Sequence, residues 1–292
     1  MTTPVRSSLP SIFFTDSLPR NYPSVFLYGA AGTGKTNSLR TLQSLNPLVL
    51  ASEVGNTRGM STLGDLHMPA ILLNSLEELV AITSELSAKA KPGELRYGDA
   101  GPFNALAVDS LTGIGTFLET AVKKLKSWDM IWDSAPGAGK DPRSAYPYIA
   151  ERGRQIVTKL MDLPVPLVMT CREGTFTEGE GQSARTYAVP ELPGQKLPRE
   201  LPGWPEATLR LRMLNGKRIA VTQNEGDVVA RIRLRKGLRC DKYIKVDLGA
   251  IIRLLQGDAT ALKDLTIDTS VPKTPQQLAA EKRVAEAATV KA

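Results

Sequence analysis

Histidine, cysteine and long hydrophobic runs are scarce in this sequence of 292 residues. The single histidine, His67, excludes a histidine-rich metal centre. The two cysteines, Cys171 and Cys240, belong to no pairing motif, which favours a reducing compartment such as the cytoplasm. No apolar stretch approaches the roughly 20 residues of a membrane span, and the N-terminus lacks the layout of a signal peptide. We therefore expect a cytoplasmic protein with no membrane partner.

Positive charge is concentrated in one part of the chain. Residues 199 to 245 contain twelve lysines and arginines but five aspartates and glutamates, an excess that equals the net charge of +7 of the whole chain. A local excess of this kind favours an acidic partner such as a nucleic acid. The alternative is a solvated face of alternating strands that binds nothing.

Residues 24 to 36, SVFLYGAAGTGKT, form the most informative segment. An apolar run suited to a strand leads into a stretch that fits G-x-x-x-x-G-K-[ST] at every fixed position. Glycines let backbone N–H groups wrap a phosphate chain, the lysine adds a cation, and the following helix directs its positive dipole end at the same anion. The alternative is a glycine-rich turn without a ligand. The predicted nucleotide-binding residues of this P-loop are Gly29, Ala30, Ala31, Gly32, Thr33, Gly34, Lys35 and Thr36.

A second motif, NALAVDSLTGI at residues 104 to 114, places an aspartate after a short apolar strand. Asp109 in this position is predicted to hold Mg²⁺ directly or through a water. Thr36 is predicted to supply a hydroxyl oxygen to the same ion, because Mg²⁺ prefers oxygen ligands. Aspartate ends many strands, so the metal role of Asp109 depends on the presence of the P-loop upstream.

Two more apolar strands end in polar residues. PLVLASE ends in Glu53, a candidate to orient and polarise the attacking water, or else a surface glutamate that caps a loop. VPLVMTC, at residues 165 to 171, contains Thr170, which is followed closely by Arg172. Either residue is a candidate sensor of the γ-phosphate, and a purely structural threonine is the alternative.

The rest of the chain is divided by its composition. We expect an extended N-terminal arm at residues 1–23, a core at residues 24–265, and a disordered or frayed tail at residues 266–292.

Local patterns predict several elements of the core. The helix after the P-loop is expected to run to about Ser44, and residues 90–103 and 173–205 are expected to be loops, because both are rich in glycine and proline. Asn215 with Gly216 predicts a two-residue hairpin. In ARIRLRK, a strand would place three guanidinium groups on one side, those of Arg231, Arg233 and Arg235.

Together these motifs resemble the RecA-like ATPase family, and within it the small phage-encoded AAA-type proteins that include the Sak-type single-strand-annealing ATPases. GAAGTGKT is similar to the first nucleotide motif of the family, AVDSLT to the second, and ASEVG to the segment that bears the catalytic glutamate. The resemblance covers roughly residues 20 to 250. It implies an α/β P-loop NTPase fold with a mainly parallel central sheet, helices on both faces and a C-terminal antiparallel β extension.

The resemblance also implies roles for particular residues. Glu53 would act as the catalytic base, while Lys35 and Mg²⁺ would stabilise the charge that develops during attack on ATP. LVMTCRE is similar to the strand before the second DNA-binding loop, which would place that loop at residues 173 to 195. The basic segment at residues 231 to 236 looks like the one that reaches a neighbour's nucleotide in RecA filaments, which makes Arg235 and Lys236 candidate trans-acting cations.

The expected function is that of a Mg²⁺- and ATP-dependent, phage-encoded protein of the host cytoplasm. It would bind single-stranded DNA and promote annealing or recombination as a ring or filament. One alternative is an AAA-type motor or assembly factor that acts on protein, and another is a nucleotide-binding module with little turnover. AAA motors usually carry a helical lid after the core, whereas basic strands are predicted here, which favours DNA.

Overall fold

The computed structural model describes residues 22–52, 60–124, 146–180, 184–226 and 228–267. Nearly all of the predicted N-terminal arm and tail lie outside these ranges, as does Glu53. Within the described ranges, no helix combines the length and the apolar character that crossing a membrane requires.

A large β-sheet forms the centre of the fold. Its main strand order is β12-β10-β9-β1-β7-β6-β2-β3, with β8 paired to β7 and β11 paired to β9, while β4 and β5 form a separate hairpin. The strands are β1 (Ser24–Gly29), β2 (Pro47–Ala51), β3 (Ala70–Leu72), β4 (Leu95–Tyr97), β5 (Ala100–Phe103), β6 (Ala105–Asp109), β7 (Leu167–Glu178), β8 (Arg185–Pro190), β9 (Ala207–Leu214), β10 (Lys217–Val221), β11 (Arg231–Ile232) and β12 (Tyr243–Lys245).

Strand direction confirms the predicted fold class. The strands from β9 to β3 in this order run parallel, and β10 and β12 extend the sheet in antiparallel fashion. β7 lies between β1 and β6. The P-loop after β1 and the aspartate of β6 therefore meet at the carboxyl end of the sheet, where open α/β sheets bind their ligands.

Helices cover both faces of the sheet, as predicted. They are α1 (Lys35–Ser38), α2 (Leu76–Lys89), α3 (Leu111–Lys123), α4 (Tyr146–Met161), α5 (Lys196–Glu200), α6 (Leu248–Gln256) and α7 (Leu262–Leu265). Side chains alternate along β1, so Phe26 and Tyr28 pack with α2, α3 and α4, while Val25 and Leu27 pack on the other face with α6.

The segment after the P-loop is helical over the expected length, but most of it is not α-helix. A 3₁₀ helix, Leu39–Leu45, follows the four residues of α1. The hydroxyl of Ser38 donates to the carbonyl of Lys35, and that of Thr41 donates to the carbonyl of Ser38. Such side-chain bonds compete with the α-helical ladder. The segment ends at Leu45, close to the expected Ser44, and Asn46 follows in the left-handed conformation.

The predictions of loops at two segments were wrong. Residues 173–205 begin with a hairpin in which β7 runs on to Glu178 and pairs with β8, and residues 90–103 contain β4 and β5. The glycines that suggested loops serve as turns: Gly98 (φ 57°) joins β4 to β5, and Gly179 (φ 87°) follows β7 directly. The hairpin at Asn215 is confirmed, with φ of 50° there and 74° at the next residue.

The predicted basic strand was also wrong, because β11 has only two residues. Arg231 and Arg233 both donate to the carbonyl of Gly203. Arg235 instead lies against Gly257 at the end of α6, where the helix dipole attracts cations. Arg231 and Arg233 thus share one acceptor, whereas Arg235 lies at the end of a helix, so the three guanidinium groups do not form the predicted row.

Candidate active site

The loop between β1 and α1 has the backbone that a phosphate cradle needs. Gly32 and Gly34 have φ angles of 76° and 89°, a region that favours glycine. The hydroxyl of buried Thr33 donates to the carbonyl of Ala30 at 2.8 Å, which fixes the turn. The N–H groups at the start of α1 have no acceptor within the helix, so they can bind an anion.

Lys35 places a cation on this loop. Its Nζ donates to the carbonyl of Gly29 at 2.8 Å and to that of Ala30 at 2.9 Å. The ammonium therefore lies over the loop backbone, where it can meet the phosphates that the loop surrounds.

Asp109 connects three elements of the site. This carboxylate is 4% exposed, and the hydroxyl of Thr36 donates to its Oδ2 at 2.7 Å. The hydroxyl of Thr170, fully buried in β7, donates to its Oδ1. Thr36 and Asp109, the two predicted metal ligands, are thus in direct contact. Thr170 contacts the aspartate, and its role as a phosphate sensor stays a prediction. The other candidate sensor, Arg172, forms an ion pair with Glu191 at 3.1 Å.

The end of β2 is attached to the same site. The N–H of Ser52 donates to the carbonyl of Asp109 at 2.9 Å, and its hydroxyl bonds to the carbonyl of Ser110. In α3, a Cβ on residue 113 would lie 2.3 Å from the Ser52 carbonyl, so this close approach requires glycine. Glu53 follows Ser52 in the chain but lies outside the described residues, and its catalytic role stays a prediction.

Cys171 lies beside Thr170 in β7 and is fully buried. Burial raises the pKa of its thiol to about 12, although a contact with the Thr112 hydroxyl at 3.3 Å opposes the shift. The thiol is therefore neutral at physiological pH and acts as a packing residue behind the site.

The donor set fits Mg²⁺ shared with a nucleotide. Mg²⁺ is usually held by one or two carboxylates together with waters and substrate phosphates. Thr36 and Asp109 offer hydroxyl and carboxylate oxygens 2.7 Å apart. In the part of the chain that the structure describes, no group of three or more His, Cys, Asp or Glu residues forms a metal cluster. A cation bound here would need phosphate and water oxygens to complete its shell.

Arg235 and Lys236 lie far from this site. β11 pairs with Ala207 and Thr208 at the start of β9, whereas Gly29 pairs with Leu211, four residues further along. At 3.3 Å per residue, the point where β11 pairs with β9 therefore lies about 13 Å along the strand from the level of Gly29. The chain after β11 runs further from the P-loop, so these two cations belong to the amino end of the sheet.

Sequence reasoning missed one residue at the site, Arg218 of β10. Its guanidinium lies beside Gly34 of the P-loop. The hairpin that carries Arg218 was predicted correctly from Asn215 and Gly216. What was missing was the position of β9 next to β1, which brings the hairpin to the loop.

The fold and the site together define a P-loop ATPase. A family model described as an AAA domain matches residues 21–234, and the chain belongs to this family. A search of curated protein sequences finds no match.

Among solved structures, the chain is similar to the P4 protein from bacteriophage phi6 in complex with ADP. The two are 15% identical with a TM-score of 0.29, and the match covers 68% of this chain and 53% of that one. The present chain thus spans about half the length of that protein. A similarity of this size transfers no ligand or partner to the present chain.

Proposed function

We propose that this chain binds ATP with Mg²⁺, hydrolyses it, and uses the cycle to promote annealing or recombination of single-stranded DNA. The contact between Thr36 and Asp109 carries the ATPase part of the proposal, because it joins the P-loop to a second strand through oxygen ligands. Mg²⁺ at these oxygens supplies charge neutralisation at the phosphates.

The chain's own residues perform the remaining steps of hydrolysis. The P-loop N–H groups and Lys35 bind the phosphates, and Thr170 holds the Asp109 carboxylate in place. Glu53 orients the water that attacks the γ-phosphate, since it directly follows Ser52, which is bonded to the backbone of Asp109.

The DNA part of the proposal is supported by the surface charge. Of the twelve cations between residues 199 and 245, several form ion pairs, including Arg199 with Glu178, Arg210 with Glu173, and Lys242 with Glu225. Besides Arg199, seven of the twelve are exposed and give the surface its positive field. They are Lys217, Arg218, Arg233, Arg235, Lys236, Arg239 and Lys245.

We also propose that the chain self-associates and that Arg235 and Lys236 act on the nucleotide of a neighbouring copy. Both are exposed and lie at the amino end of the sheet, away from their own P-loop. A catalytic contact from either residue therefore requires a second molecule.

The ATPase rate with and without a single-stranded oligonucleotide tests the proposal most directly. We expect DNA to stimulate turnover, and DNA affinity to fall steeply with salt because phosphate contacts release counterions. A protein that hydrolyses ATP but binds no single-stranded DNA at low salt, with or without ATP, would favour an AAA-type factor that acts on protein.

A further inference from the structure

Arg218 lies beside the P-loop. β9 pairs in parallel with β1 as far as Gly29 and continues past it to Leu214 before the turn. The hairpin of β9 and β10 therefore projects beyond the carboxyl end of the sheet, next to the P-loop.

The pairing of the hairpin shows which way Arg218 faces. Arg218 is opposite Met213, and Ala220 is opposite Leu211, two positions further into the sheet. Leu211 and Ala220 are buried in the cluster that contains Leu39 of the helical segment after the P-loop. Because side chains alternate along a strand, Arg218 points to the face that carries the P-loop and α1.

The distance to the loop agrees with this orientation. The Nε of Arg218 lies 2.8 Å, and its Cζ 2.9 Å, from the position that a Cβ on residue 34 would occupy. Gly34 thus leaves room for the guanidinium directly against the backbone at the start of α1. Any side chain at this position would displace the guanidinium, in addition to being strained at φ 89°.

Two arginines of β9 lie close to carboxylates. Arg210 forms a largely buried bidentate pair with Glu173, and Arg212 lies 3.5 Å from Glu225. Among the residues that the structure describes, no carboxylate pairs with Arg218, which is exposed. An unpaired guanidinium against an anion-binding loop has the planar donors that match phosphate oxygens.

We propose that Arg218 binds the phosphates of the nucleotide held by the P-loop of the same chain. The proposal rests on nucleotide binding at the P-loop and is independent of any DNA partner. The guanidinium would be a second cation beside Lys35, delivered by the hairpin rather than by the P-loop itself.

Binding of ATP and of pyrophosphate to the full chain, measured by calorimetry without DNA, tests this assignment. Arg218→Ala is expected to weaken both ligands roughly tenfold or more, as for loss of a charged hydrogen bond. The affinity of Arg218→Lys should lie between those of wild type and Arg218→Ala, because lysine keeps the positive charge but lacks the planar set of N–H donors of a guanidinium. The matched control is Lys217→Ala, which removes the same charge from the opposite face of β10 and should leave affinity nearly unchanged.

The possible outcomes separate this inference from the proposed function. The assignment of Arg218 is overturned if Arg218→Ala binds ATP as tightly as wild type does. It is also overturned if Lys217→Ala weakens ATP binding as much as Arg218→Ala does. If Arg218→Ala lost affinity for ATP but not for pyrophosphate, the assignment would also be overturned, because the contact would then be to the nucleoside. If wild type binds no ATP, the proposed function itself fails. Should Arg218→Ala unfold, Arg218→Gln provides the neutral variant, with thermal unfolding as the check.

Discussion

Replacing Thr170 by valine removes one hydroxyl from the centre of the site without changing the shape of the side chain. Thr170 is fully buried, and its hydroxyl donates to the Asp109 carboxylate. Hydrogen bonds to charged groups contribute about 1.5–3 kcal/mol, so we expect Thr170→Val to lower the free energy of unfolding by about 2 kcal/mol. Since 1.4 kcal/mol is a factor of ten, the folded-to-unfolded ratio should fall roughly thirtyfold.

Thr208 provides a matched control in β9. It is also fully buried, but its hydroxyl donates to a neutral acceptor, the carbonyl of Pro202, at 2.8 Å. A neutral hydrogen bond contributes about 1 kcal/mol, so Thr208→Val should lower the free energy of unfolding by roughly half as much as Thr170→Val does. Urea unfolding of both variants measures the difference. The reason for the difference lies in the charge of the acceptor, since burial and side-chain shape are matched.

The same pair of variants separates a role in the site from a role in stability. Thr170→Val should also slow ATP turnover, because Asp109 loses a group that positions its carboxylate, whereas Thr208→Val should not. If the two variants lost the same free energy of unfolding and also had the same ATP turnover, the idea that Thr170 positions Asp109 would be refuted.

Three further predictions concern the site. Lys35→Ala should abolish ATP turnover in a phosphate-release assay, and retained hydrolysis would show that the ammonium over the loop is dispensable. Glu53→Gln should keep ATP binding but slow hydrolysis in single-turnover experiments; an unchanged rate would place the base elsewhere. Iodoacetamide at pH 8 should leave Cys171 unmodified in the native protein, because burial raises its pKa to about 12, and should modify it after unfolding. Peptide mass spectrometry measures both states, and rapid native labelling of Cys171 would contradict its burial.

The predictable parts of the fold are those whose signal lies in residues that are adjacent in the sequence. The strand and turn of the P-loop, the strand before Asp109 and the Asn215 hairpin all carry local signals and were confirmed. The hairpin of β7 and β8 was missed because its glycines and prolines were interpreted as a loop. Whether such residues turn a strand or break it depends on pairing with a partner segment, which local composition does not specify.

The site itself depends on strand order. β1 and β6 are separated by β7, so at about 4.8 Å per strand their ends lie roughly 10 Å apart. Thr36 nevertheless reaches Asp109, since the P-loop and α1 pass over the end of β7, with which α1 is in contact. The inserted strand in turn supplies Thr170 to the other oxygen of the carboxylate. The same non-local order, with β9 on the other side of β1, brings Arg218 to the loop. The motif residues thus specify the chemistry of the site, while the neighbours of β1 determine which additional side chains join it.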